Sequence, residues 1–488
     1  MARAKTKATN SGGGRQKGKT AVPVSLSVLR DRLFRAAFDA AQTTKDNEKH
    51  WSMADACSAD AEARHDVRET LRRRSRYEVL NNSYAQGLVT MIANDTIGTG
   101  PRLQFLTDDE DFNDLVEREF AAWAKKAKLP QTLRLMRRAR CQDGETFAVL
   151  GTNPKLKNKV KLKLDVIEAD RITSDDFTDE LVDTTVDGIK YDEYGNPVSY
   201  QMLKYHPGDD RHCNGIETLT IPAEFMIHSF VHHRPGLHRG VPELTPALPL
   251  FLQLRRYSLA TLSAAEAAAC FAAILYTDAP PDGETESLEP LDSIPLERNM
   301  MLTVPAGWKM GQLEPKHPTA NHSETVKSYL SEIARSVCST YGCVSGDYSG
   351  YNYASGRMDN QIYQKGILVD RSLWEDEVLD VIFDAWFREW CLVTGRTMTE
   401  DTTHEWFWDG FIHVDPTKEA SAQEIRLRNM TTTLTDEYAK QGKDVAKELR
   451  KKARELQLMK KLGLVVEQQP KGDSYNTKKD DKEDNGDE

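Results

Sequence analysis

Cysteine is scarce in this chain: seven in 488 residues, irregularly spaced, make no disulfide framework and point to a reducing compartment. Basic excess is missing as well. Lys and Arg number 65 against 76 Asp and Glu, a net charge of −11. That excludes a protein that coats duplex DNA by charge alone, because such binding relies on neutralised phosphates. The basic N-terminus has no apolar run of the kind a secretion signal needs. The one long run that could cross a bilayer is Tyr257–Tyr276, YSLATLSAAEAAACFAAILY, with Glu266 near its middle. A lone central carboxylate costs about 2.5 kcal/mol or more in lipid. The Ala and Ser of this run suit close helix–helix approach instead, so we read it as a buried or subunit-facing helix. No repeat with a period of roughly 20–50 residues is present, which excludes solenoids and propellers.

Catalytic signatures are lacking too. The segment GGRQKGKT, Gly13–Thr20, has the spacing of a phosphate-binding loop with Lys19 and Thr20. That chemistry needs a buried strand leading into the loop and a helix leading out. MARAKTKATNS precedes it and Pro23 follows, and neither fits. His228 and His232 are four apart, yet Ser229 stands where a zinc protease carries Glu. His233, Pro235, Gly236, His238 and Gly240 continue that segment as a loop. Cys338 and Cys343 have no second pair at zinc spacing, and no G-x-S-x-G elbow occurs. The carboxylates of DGE (Asp143, Glu145) and EAD (Glu168, Asp170) make a nuclease site only by selection from 76 acidic residues. No catalytic residue, cofactor or metal ligand is nominated.

What is present is a soluble globular composition, 39% hydrophobic and 29% charged, in a length worth about three structural units. Residues 1–30 read as a disordered basic tail, and 465–488, ending KKDDKEDNGDE, as a disordered acidic one. From 31 to 129 the pattern is mainly helical, broken at IGTGP, with Phe112, Leu115, Val116, Phe120 and Trp123 at helical spacing. Arg72, Arg73, Arg74 and Arg76 form a basic knot; Arg134, Arg137, Arg138 and Arg140 form a basic strip. Strand signals follow in ETFAVLGT, in KVKLKLDVIEADRI and in the hairpin IKYDEYGNPVSYQMLKY. Helix returns through about residue 276, and a Pro-rich stretch, Ala279–Ala320, holds one strand in MMLTVPAGWKMGQL. The next helix, from Ser323, carries Val326, Leu330, Ile333 and Val337 on one stripe. After a break rich in Gly, Tyr, Ser and Asn, a long helix repeats Trp374, Val378, Ile382, Trp386 and Trp390 every four residues. Asp415–Pro416 opens the last ordered part, whose final helix, from Asp444, is expected to bury Val445, Leu449, Leu456 and Met459. The class is helix-rich α+β.

Several strings resemble the lambda-type portal proteins of tailed bacteriophages. RSRYEVLNNSYAQGLV followed by NDTIGTGPRLQ is similar to the opening signature of that family, as are VIEADRI and HHRPGLHRGVPELTPAL with the Ala-rich helix behind it. NYASGRMDNQ stands where the family carries Asn-Tyr-Ser-Ser before an Arg, with Ala354 departing from the pattern. FIHVDPTKEASAQ resembles the family's Asp-Pro-x-Lys-Glu element. The matches run in family order from about Arg74 to Asp444.

The resemblance implies a portal-protein fold of wing, stem, clip and crown, assembling into a ring at one capsid vertex. Double-stranded DNA would be packaged through it by a separate terminase and later ejected; no enzymatic activity of its own is implied. Placed by order, the wing covers 31–249, the first stem helix 250–276, the clip 277–322 and the second stem helix 323–342. A tunnel loop covers 343–357, the wing's spine helix and connector 358–414, and crown helices 415–464. Implied partners are further copies of the chain (a dodecamer), duplex DNA, terminase, the major capsid or scaffold protein, and head-completion or tail connector proteins. The implied location is the virion, with the host cytoplasm during assembly. In the tunnel loop, Asp347, Tyr348, Tyr351, Asn352, Tyr353 and Arg357 are the candidates to face DNA. Tyrosine and asparagine tips can brush a duplex without a fixed charge grip, and Asp347 and Asp359 stand close enough in sequence to neutralise Arg357. The plainer alternative is a surface connector whose aromatics pack on the wing. Two other functions stay open: a nucleotide-driven packaging enzyme using Gly13–Thr20, and a scaffold or minor capsid component.

Overall fold

The computed structural model describes residues 44–173, 185–210, 217–270, 274–277, 308–311, 321–398, 402–411 and 415–464. Both expected tails, Gly13–Thr20 and most of the expected clip lie outside these residues. Residues 44–58 form turns and belong to a unit of their own; everything below belongs to the second unit, from Ala59 onward.

After one helical turn at Ala59–Glu62 come two helices, α1 (His65–Asn81) and α2 (Ser83–Ile97), divided at Asn82, whose side chain accepts from Tyr84 N and caps α2. Strand β1 (Arg102–Phe105) leads to α3 (Glu110–Ala127), capped by Asp109, and α4 (Leu129–Asp143), with Pro130 in its first turn. Both placements suit a helix start, where N–H groups have no partner inside the helix. α4 ends at Gly144, which takes φ 95° and lets β2 follow at once. A Cβ there would stand 2.4 Å from the Val241 carbonyl carbon, so only glycine fits this approach.

β2 (Glu145–Thr152) is the centre of an antiparallel sheet between β3 (Leu162–Ile167) and a later strand. A meander follows: β4 (Thr185–Val186), β5 (Ile189–Tyr191), β6 (Pro197–Leu203) and β7 (Thr218–Pro222). The expected hairpin is β5–β6, and Asp192 holds its turn by accepting from Tyr194 N and Asn196 N. β8 (Met226–Phe230) completes the β3–β2–β8 sheet.

Next come α5 (Leu248–Cys270), the strand pair β9 (Ile274–Thr277) and β10 (Trp308–Gly311), and α6 (His322–Ser336). The first stem helix was expected to reach 276, but it stops by Cys270 because Ile274, Leu275, Tyr276 and Thr277 are branched or aromatic and pair as a strand. The second was expected to run 323–342. It breaks after Ser336 at Val337-Cys338-Ser339-Thr340, where Cys338 takes φ 54°, and resumes as the short α7 (Tyr341–Ser345). β-branched and hydroxyl residues are poor helix interiors, which explains the break.

α8 (Tyr353–Trp374) passes through a π turn (Glu375–Leu379) into α9 (Asp380–Thr394). The apolar stripe repeating every four residues is buried throughout. At 100° per residue, sixteen residues would rotate such a stripe by about 160°, and the one extra residue of a π turn takes back about 100° of that. The π turn therefore keeps Trp374 and Trp390 facing one core. There Phe105, Phe120, Trp123, Phe383, Trp386 and Phe387 interlock, with Phe120 edge-on to Trp386 at 5.1 Å.

β11 (His404–Phe407) pairs with β1, and α10 (Pro416–Arg428), α11 (Leu434–Lys440) and α12 (Val445–Lys461) close the chain's described part. Asp415 caps α10 as expected, accepting from Thr417 N and Lys418 N. The expectation that the last helix buries its apolar residues fails: no residue of α12 is buried. Val445 and Met459 are half-buried, while Leu449 and Leu456 stay exposed.

Candidate functional site: a tyrosine loop on a clamped helix

The candidate loop is shorter than 343–357. Backbone outside helix runs only from Gly346 to Asn352, and Tyr353 and Arg357 stand on the first two turns of α8. Asn352 explains this: it accepts from Ser355 N while Ser355 Oγ accepts from Asn352 N, a reciprocal cap that starts the helix there. Gly346, at φ 69°, ends α7. Asp347 then fixes the turn by accepting from Ser349 N at 2.9 Å, and these hydrogen bonds hold its carboxyl below the usual range.

The tyrosines are braced. Tyr348 and Tyr351 lie with ring centroids 5.6 Å apart, and Gly342 N donates to Tyr351 Oη at 3.1 Å. A Cβ on Gly342 would meet the Tyr348 ring at 2.4 Å, so glycine there is what lets the ring lie on α7. Tyr348 is still 57% exposed, and Tyr353 and Asn352 are exposed. Partial burial, followed by a hydrogen bond to Asp359, pushes the Tyr351 hydroxyl up to about 12. Tyr348, Tyr351, Asn352, Arg357 and Asp359 line a recess of about 280 Å³ between the loop and α8.

The charges differ from expectation. Asp347 is occupied by Ser349 and Asp359 by Tyr351, and Arg357 is exposed with no ion pair among the described residues. Two further cations stand at the loop. Lys327 of α6 lies over Tyr341 at 5.4 Å and within 4 Å of a Cβ position on Gly350; Lys418 of α10 lies 4.7 Å over the Tyr353 ring. Neither lysine was nominated, since nothing local in the sequence joins residue 327 or 418 to the loop.

Behind the loop, α8 is anchored by buried charge. Asp370 accepts from Arg137 Nε at 2.7 Å, from Thr96 Oγ1 at 2.9 Å and from Arg140. Glu243 takes both Arg137 Nη atoms, at 3.0 and 3.1 Å, and Arg140 Nε at 3.2 Å. Arg371 donates to the Thr96, Asp95 and Asp409 carbonyls, and Tyr363 Oη donates to Asp95 at 2.7 Å. Burial alone would raise the Asp370 and Glu243 carboxyls; Arg137 and Arg140 hold both below the usual range. The basic strip of the sequence is therefore largely structural.

Arg72 and Arg76 of the basic knot are structural too. Arg76 donates to Asp143 at 2.8 and 3.0 Å and pairs with Asp170 at 2.6 Å, and Arg72 donates to Asp170 at 3.2 Å. Arg239, fully buried, forks onto Glu145 at 2.9 and 2.7 Å, and His228 Nε2 lies 3.2 Å from the same carboxylate. Burial would raise Glu145, but Arg239 and His228 hold it well below the usual range; burial lowers His228. Asp143, Glu145 and Asp170 are thus committed to arginines. Glu168, Asp170 and His206 are the one group of possible metal ligands found among the described residues. Arg72 and Arg76 at Asp170 oppose a divalent cation there.

These contacts explain what the sequence motifs are for. RSRYEVL supplies Arg76, VIEADRI supplies Asp170, and HHRPGLHRGVPEL supplies Arg239 and Glu243 to the buried charge networks. NDTIGTGP supplies Asp95 and Thr96 to the anchor of α8, and NYASGR supplies the cap at Asn352. A family model, phage portal protein of the lambda family, matches residues 44–371, which takes in all of these. The chain belongs to that family. A curated relative within the portal proteins, the probable portal protein of Halomonas phage phiHAP-1, is 24% identical over 489 residues, covering 92% of this chain and 91% of its own. Two solved structures are similar at 14% identity and a TM-score of 0.43: chains of the neck of an empty gene transfer agent particle and of the virion of the native particle. Each match covers 77% of this chain and 93% of the other.

Proposed function

We propose that this portal-family chain assembles into a closed ring, about twelve copies as a dodecamer, that serves as the conduit for double-stranded DNA at one vertex of a phage capsid. The observation that carries this is the family match over residues 44–371. In this reading the wing, stem, clip, tunnel loop and crown follow the order set out above, with 346–352 as the loop proper. Its exposed tips, Tyr348 and Asn352, with Tyr353 at the start of α8 and the cations Arg357, Lys327 and Lys418, ring the channel. A net charge of −11 per copy disfavours a strong phosphate grip and suits sliding. Terminase, capsid or scaffold protein and head-completion or tail connector proteins are the proposed partners. The proposed location is the virion, reached by assembly in the host cytoplasm.

The family is structural, and we propose that the chain has no catalytic activity of its own: its strongest carboxylate candidates are locked onto Arg72, Arg76 and Arg239. Native mass measurement and electron microscopy of the purified chain test the reading. Closed rings with an axial hole are expected; a 55.1 kDa species alone under assembly conditions refutes it. Lys19→Ala is expected to leave DNA packaging intact in a packaging assay. Packaging abolished with rings preserved reopens the nucleotide-driven alternative.

A further inference from the structure

We propose that two bare helix faces, one on α8 and one on the far end of α5, form the contact between neighbouring copies. The proposal rests on the ring reading above and names the surfaces that build it. On α8, Tyr363, Ile367, Arg371 and Trp374 face the core. The opposite side carries Met358, Ile362, Val369 and Leu373, spaced at helical steps with Lys365 in the middle of the row. Ile362 is 54% and Val369 66% exposed. A continuous apolar stripe on a helix whose other side is clamped to the core marks a contact surface. The charge within this row is Lys365, which is exposed and not ion-paired among the described residues.

The second face lies on α5. From Leu259 to Glu266 every residue but Thr261 and Ala264 is exposed, with Leu259 at 58% and Leu262 at 56%. Glu266 is the one charge between Tyr257 and Glu266. Leu259, Leu262 and Glu266 step by three and four residues along one side, and the intervening Ala and Ser leave room for a second helix at close range.

Both faces are bare in the single chain, so neither covers the other there. A closed ring joins copies by unlike patches, each copy offering one face forward and a different face back. These two faces meet that need: one is an apolar row centred on Lys365, the other an apolar row ending at Glu266. With Glu266 opposite Lys365, Leu262 and Leu259 fall one and two helical turns away, level with the apolar residues that flank Lys365.

The test uses the full chain. Ile362→Asp is expected to raise the concentration at which half the protein is in rings at least about tenfold. Glu266→Lys and Lys365→Glu should each lower the ring fraction, and together restore it. In a mixture of Leu262→Cys and Ile362→Cys chains, oxidation should give a covalent dimer that neither variant forms alone, each single variant serving as the control for native cysteines. If the wild type forms rings while every variant does so equally well and no cross-link appears, the contact lies elsewhere and the ring reading stands. If the wild type forms no rings, both fall.

Discussion

Asp370 accepts from Arg137, Arg140 and Thr96 where α8 crosses α4 and the end of α2. Removing one partner from a buried pair strands the other's charge, at a cost of about 3–5 kcal/mol. Asp370→Ala should therefore lower stability by about that amount in urea denaturation, with Asp370→Asn in between; a loss within the scatter of surface substitutions would mean that α8 is held by packing alone. The same groups set the pH response. Burial lowers His228 below its ordinary 6.5, so below that pH the unfolded chain takes up a proton that the folded chain resists, and stability falls. Glu145 and Glu243 are held below an ordinary 4.5, and Asp370 below 3.8. Their contribution is complete above those values and is lost as pH falls through the lowered ones. Calorimetry across pH should show two successive declines, with His228→Gln shrinking the first, to which His65, also lowered by burial, contributes, and sparing the second. A first decline that persists undiminished in that variant would assign it to another group.

Between α7 and α8 the element is a short, braced turn whose cap at Asn352 and Ser355 does not depend on the tyrosines. Replacing Tyr348 and Tyr351 together with Ala should leave ring assembly unchanged, while the loop loses the hydrogen bond from Gly342 N and its exposed aromatic tips. Packaged genome length, or DNA retained in filled particles, should drop; full-length retention would leave the segment a connector. Elements of this kind were readable in the sequence where burial imposes a period. The stripe from Trp374 to Trp390, the β5–β6 hairpin and the cap at Asp415 are examples, because each is decided by residues a few positions apart. What was not readable depends on distance along the chain. Arg137 and Asp370 are separated by 233 positions, so a buried clamp looked like a basic strip. The break at Val337–Thr340 weighs weak local propensities against tertiary packing, and periodicity alone runs straight through it. The apolar row of α12 shows a third limit: amphipathic spacing says that a face needs a cover without saying which chain supplies it.

As a molecule, the chain binds its C-terminal helices differently from its core. Lys447 pairs with Glu117, Arg450 reaches Asp114 at 2.7 Å and Glu110 at 3.2 Å, and Arg102 donates to the Gly442 carbonyl at 2.7 Å. No α12 residue is buried, and Leu449 and Leu456 stay exposed. The exposed pairs of Arg450 contribute about 0–1 kcal/mol each and weaken with salt, and Lys447 meets the buried Glu117 from a half-exposed position, so α12 adds modestly to the stability of one copy. In the proposed ring, the exposed Leu449 and Leu456 are open to α12 helices of adjacent copies. A chain ending at Asp444 should then unfold as a monomer within about 2 °C of the full chain, a shift worth about 1–2 kcal/mol for a body of this size. Its rings should come apart at lower salt or higher dilution than those of the full chain. The monomer measurement is made by calorimetry at a concentration below ring formation, and the ring measurement by native mass across a dilution series. Glu117 is the one core-facing group that loses a partner, and Phe105 N still donates to it at 3.0 Å. A monomer that melts several degrees earlier would show α12 to be part of the single-chain core. Rings as durable as those of the full chain would show that its apolar row serves a partner other than its own kind.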